Sequence, residues 1–148
     1  MIGLADDTPG RRLVVASWAG TGAFTITAVP ATISPDLFRF PAAAVAIALF
    51  VAGGVAMFWA FLVAVQRSRT DLIGIGGLYF LAGSAPAGVQ RHLMASLAIE
   101  VVVALVTASI RVFTSLAFGI LVPVWGLGLA GLWGARHGTF AARDTGGR

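Results

Sequence analysis

The chain has 148 residues, 58% of them hydrophobic and only 11% charged, with a mean hydropathy of +0.92. A soluble domain carries about 25% charged residues, so this composition excludes one and leaves room for a single membrane bundle, residues 1–148, of four or five helices. The net charge of +4 would suggest nucleic acid in a soluble protein, but these arginines lie in short clusters between apolar runs, where they set topology, and no nucleic-acid partner is expected.

There is no cysteine, which excludes disulfides, thiol catalysis and cysteine-ligated metal. All ten basic residues are arginine, and lysine and asparagine are absent. That usage fits a GC-rich coding genome such as an actinobacterial one.

Residues 1–12 form a short polar head, with 1–10 read as a flexible tail. The first span, 13–33, holds no charge. Arg11 and Arg12 before it, with Val29-Pro30-Ala31 near its end, imitate a secretory or twin-arginine leader. The chain beyond residue 33 does not read as an exported soluble domain, so a retained anchor is the expectation. Ser17, Thr21 and Thr25 recur every four residues and share a face beside Gly20 and Gly22. Such a stripe packs against a neighbouring helix or, on a sharper reading, lines a pore.

Residues 34–41 read as a tight outer turn with two prolines, Asp36 and Arg39, and Pro41 suits the first turn of the next helix. In the second span, 42–65, Ala44, Ala48, Ala52, Ala56, Ala60 and Ala64 repeat at four-residue intervals around Gly53 and Gly54. Small residues at this spacing let another helix approach closely where lipid provides no hydrophobic drive. The partner helix is either internal or in another subunit.

A basic loop, Gln66 to Asp71, leads into 72–85, a glycine-rich run closed by Pro86. It is too short to span and is expected to be re-entrant or interfacial. Arginine counting supports this. Five spans would divide the arginines evenly, with Arg11, Arg12, Arg67, Arg69 and Arg111 on one side and the rest on the other. Four spans leave only Arg39 and Arg111 outside, an eight-to-two split in the sense of the positive-inside rule. Both termini then face the cytoplasm, with Trp18, Trp59 and Trp133 as half an interfacial belt.

The third span, 92–110, lies between Arg91 and Arg111, whose 20 steps cover about 30 Å, the thickness of the hydrocarbon core. Its carboxylate, Glu100, falls about 13 Å deep. A charge there costs on the order of 2.5–3.5 kcal/mol, so such a residue normally faces the bundle interior and marks function. Ser96, Glu100 and Thr107 share a face at offsets of four and seven. Three readings stay open for Glu100: packing glue toward Ser17, Thr21, Thr25 or Thr107, a proton or cation-substrate site, and a contact to another subunit.

The last span, 114–133, contains Pro123, expected to kink it, and Gly126, Ala130 and Gly134 again at four-residue spacing. Residues 137–148 are read as a flexible tail. His92 and His137 fall at the cytoplasmic boundary and are read as solvated, not as metal or haem ligands. Gly74-Ile75-Gly76-Gly77 lacks the Lys-Ser/Thr of a phosphate loop, and Tyr79 occupies the third glycine position of a dinucleotide fingerprint. No catalytic dyad, zinc motif or nucleophile elbow is present, so no enzyme, cofactor or metal is expected.

Ala98-Ile99-Glu100-Val101, with Arg111 eleven residues later, resembles the first helix of the small multidrug resistance transporters. The resemblance covers about 15 residues, and here the glutamate belongs to the third span. It implies a four-helix protein whose membrane glutamate exchanges protons for cationic drugs. The expectation from the residues themselves is an all-α, multi-pass protein of the plasma membrane. It would act as an interaction or accessory subunit with a protein partner or a second copy, and a small proton-coupled transporter is the alternative.

Overall fold

The computed structural model describes residues 7–110, 112 and 114–144. Arg111 and Arg148, which enter the arginine count above, lie outside them. Helix α1 (Arg11–Ile33) is followed after one residue, Ser34, by α2 (Pro35–Arg67). The outer turn expected over 34–41 is thus a single-residue break. The residue before a proline is pushed out of the helical region, and Ser34 sits at φ −123°, ψ 73° with Pro35 opening the next helix. Pro41 lies inside α2, where its missing N–H leaves the Leu37 carbonyl unbonded within the helix. Leu37 itself is 70% exposed.

A short helix α3 (Ile75–Tyr79) precedes α4 (Ala87–Ile110). The last span is composite: a 3-10 run over Ser115–Leu121, then α5 (Pro123–His137). The kink expected at Pro123 in a continuous helix is absent. Pro123 instead opens α5 at the first helical position, where an N–H would be unpaired anyway. The 3-10 rise of about 2.0 Å per residue lets this 23-residue stretch reach about 36 Å. Four helical stretches are thus long and apolar enough to cross a membrane. Among the described residues the only strand-like feature is an isolated bridge between Asp71 and Ala142. The protein is an all-α membrane bundle.

Register settles how 68–86 runs. Ser17 pairs with Ser96 and Thr21 with Glu100, both 79 positions apart. Partners that advance together make α1 and α4 parallel, so the chain between α2 and α4 must leave and return at one end. It packs there, Leu78 and Tyr79 lying against Ala60, Ala64 and Ala135 at the ends of α2 and α5. Leu81 takes a left-handed φ of 57° and is fully buried among Val14, Val89, Leu93 and Trp133.

The same end gathers the first and last described residues. Thr139 N–H donates to the Ser84 carbonyl, Leu72 N–H to Ala141, and Arg143 N–H to Thr70. Phe140 stacks under the Arg67 guanidinium at 5.3 Å. Residues 138–143 are therefore held, contrary to the flexible tail expected from 137 onward; residues 145–148 lie outside the described set. The expected tryptophan belt also changes. Trp133 is buried at 1% exposure and donates its indole N–H to the Pro9 carbonyl, which ties down the end of the 1–10 head. Residues 1–6 are outside the described set.

Helix α5 is the most enclosed, with Gly126, Ala130 and Gly134 among its buried residues. Gly53 of α2 faces Trp125 of α5 so closely that a Cβ would stand 2.5 Å from the Trp125 Cα. The alanine repeat of α2 divides. Ala60 and Ala64 are buried, Ala56 is half-buried, and Ala44, Ala48 and Ala52 face outward. Four residues advance about 400° on a helix, so each step turns the stripe by about 40° and five steps carry it about 200° around. The face that packs inside this chain follows the 3.6 period: Ala42, Ala46, Gly53, Ala60 and Ala64.

Candidate functional site

Two polar rungs join α1 to α4 inside the bundle. The first pairs the hydroxyls of Ser17 and Ser96. Ser96 donates to the Leu93 carbonyl at 3.0 Å, which leaves Ser17 as the donor to Ser96. The second rung, one turn deeper, pairs Thr21 with Glu100. Spacing of four in both helices, with parallel axes, brings both pairs into register.

Glu100 is fully buried, and its two oxygens engage different helices. Oε1 lies 2.7 Å from the Thr21 hydroxyl of α1. Oε2 accepts the Gly126 N–H of α5 at 3.1 Å. That N–H belongs to the first turn of α5, and the positive end of a helix favours a carboxyl oxygen. Pro123 creates this terminus at the depth of Glu100. A Cβ on Gly126 would stand 2.7 Å from Oε2 and 3.2 Å from the Leu97 Cα, so glycine is what lets α5 come close enough to donate.

The Thr21 hydroxyl has one proton and two oxygen neighbours beyond its own carbon. It lies 2.9 Å from the Ser17 carbonyl and 2.7 Å from Glu100 Oε1. If Thr21 donates to Ser17, the acid proton of Glu100 must bridge to Thr21. If Glu100 is ionised, Thr21 turns its proton to the carboxylate. One hydroxyl rotation therefore accommodates both charge states without moving a helix.

Of the six polar residues named from the sequence, Ser17, Thr21, Ser96 and Glu100 come together. Thr25 is half-buried and donates to the Thr21 carbonyl. Thr107 is buried but donates to Val103 and Ala104 of its own helix. Neither reaches the carboxyl. The Gly126 N–H escapes sequence reasoning, because a backbone donor has no residue-type signature; Pro123 three positions earlier is the available signal. His92 is half-buried, its ring set edge-to-face with that of Trp18 at 6.4 Å between centroids, and His137 lies 5.6 Å from the Trp133 ring. Both remain at the basic end, away from the carboxyl's hydrogen bonds. No known protein family, curated protein or solved structure matches this chain.

Proposed function

We propose that this protein is a non-enzymatic interaction or accessory subunit of a membrane complex, with Glu100 as a clasp that closes its own bundle. One observation supports this above the others: the carboxyl's two oxygens are engaged by the chain itself, one by α1 and one by α5. A bundle that uses its membrane-embedded polar groups internally offers an apolar outer surface, which meets lipid, another membrane protein or a second copy. The plasma membrane is the proposed site. The arginine distribution favours placing both termini and 68–86 on the cytoplasmic side. Reporter fusions after Gln90 and Arg148 should both read as cytoplasmic, and two external readings would reverse that orientation.

A second reading, a small proton-coupled transporter, is favoured by a separate observation. The Thr21 hydroxyl can serve either protonation state of Glu100, beside a helix break at Pro123. Half-helix termini at mid-membrane are where transporters hold their substrates and ions. Glu100→Gln separates the two. An amide keeps the size and hydrogen bonds of the neutral acid, so a clasp should lose no more than about 1 kcal/mol of stability. Proton release on adding a panel of lipophilic cations should be nil in wild type and variant alike. Release from wild type that the glutamine variant lacks would establish the transporter and overturn the clasp.

A further inference from the structure

At the arginine-rich end a cavity of about 900 Å³ opens between the start of α1 and the end of α5. Arg11, Arg12, Arg136 and His137 line it, and Val15 and Ala16 continue it along the apolar flank of α1. We infer that this cavity holds the phosphate of an anionic phospholipid drawn from the surrounding leaflet, with an acyl chain lying along Val15 and Ala16.

Three observations converge on that ligand. First, the arginines stand where the protein's own electrostatics oppose them. Two occupy the first turn of α1, the positive end of its dipole, with no acidic residue in that turn and no side-chain cap at Gly10. An anion bound there complements both the dipole and Arg12. Second, the charge is available. Among the described residues Arg12 and Arg136 form no ion pair, whereas Arg67 is bridged to Asp71. Arg67 also satisfies the end of α5, donating to the Ala135 and Gly138 carbonyls. Arg136 is therefore not required as the C-terminal cap and stays exposed beside the cavity. Third, the walls change character with depth. Guanidinium groups at the mouth and Val15, 45% exposed, below them match an amphiphile with a phosphate head and a hydrocarbon tail. A soluble anion would need the first part only. Basic recesses between transmembrane helices on the cytoplasmic side are where acidic headgroups bind.

The test is native mass spectrometry of the full chain in mild detergent, titrated with phosphatidylglycerol or phosphatidylcholine of the same acyl chains. Wild type should hold one phosphatidylglycerol about 25-fold more tightly than phosphatidylcholine, given about fivefold for each of Arg12 and Arg136 near a membrane surface. Arg12→Gln with Arg136→Gln should abolish that preference, while Arg39→Gln at the opposite end should keep it. If the double variant aggregates, Arg136→Gln alone is read on the same scale, with about a fivefold loss expected. Equal affinity for the two lipids, or an undiminished preference in the neutralised chain, would overturn the site. Inorganic phosphate binding as tightly as phosphatidylglycerol would overturn the lipid in favour of a free anion.

Discussion

The α1–α4 seam and the α2–α5 seam solve the same problem by opposite means. Lipid offers no hydrophobic drive between helices, so each pair must find attraction in hydrogen bonds or in close packing. Helices α1 and α4 use hydroxyls and one carboxyl, Ser17 to Ser96 and Thr21 to Glu100. Helices α2 and α5 use glycine, with Gly53 set against the backbone of Trp125. The two tolerate change differently. A hydrogen-bonded rung can lose a group and re-pair with its own helix, as Thr21 can with the Ser17 carbonyl. A backbone-to-backbone approach has no slack, because the obstructing atoms cannot rotate away.

The largest effect should therefore come from the seam packed on glycine. In Gly53→Ala the new methyl would stand 2.5 Å from the Trp125 N and Cα. The helices must separate, with an expected loss of about 2–3 kcal/mol, at the upper end of overpacking costs. Gly54 next to it is open: a methyl there would meet nothing within 4 Å. Gly54→Ala should be neutral or raise stability by up to about 1 kcal/mol, because alanine is the better helix former. Unfolding in mild detergent with increasing dodecyl sulfate reads both. Equal stability of the two variants would show that α2 and α5 are not held at this distance.

The two seams also differ in how far the residues announce them. The α1–α4 rungs are legible because both partners are polar side chains at helical spacing in apolar runs. So is the return of 68–86, because the arginines at its two ends carry the topology signal. The α2–α5 seam is only half legible. A four-residue alanine repeat catches the eye, yet it winds around the helix, and only Ala60 and Ala64 of its six members are buried. Pro123 reads as a kink because proline interrupts helices; whether the chain before it is α or 3-10 depends on packing that no local pattern reports. The tail is illegible for a similar reason. Phe140 and the hydrogen bonds of 139–143 are tied to 67–84, far away in sequence.

An intermediate effect is expected at the polar seam. Glu100→Ala leaves the Gly126 N–H without its carboxyl acceptor and opens a void between three helices. The loss should be about 1–2 kcal/mol, above the average membrane hydrogen bond of about 0.6 kcal/mol. Ser17→Ala and Ser96→Ala should each cost about 0.5–1 kcal/mol. Their double variant should show coupling of roughly the same size, since each serine's cross-helix partner is the other. Strictly additive losses would mean that the rung contributes nothing beyond its two separate hydroxyls.

The smallest effect sharpens the comparison by asking what the unpaired half of the alanine repeat does. The repeat alone predicts that leucine at position 52 wedges helices apart. In the fold Ala52 faces outward, so Ala52→Leu should change the unfolding of the isolated chain by less than about 0.5 kcal/mol, as for other surface positions. Ala60→Leu, at a residue with no exposed surface against α3 and α5, should cost about 1–3 kcal/mol in the same assay. If the outward alanines meet a second copy, Ala52→Leu would leave this unfolding unchanged yet shift the mass of the detergent-solubilised particle. Small residues favour helix contact only while they stay small. Unchanged particle mass with unchanged unfolding would assign Ala44, Ala48 and Ala52 to lipid. A loss at position 52 as large as that at position 60 would instead show that the repeat, not the 3.6-residue face, holds α2 in the bundle.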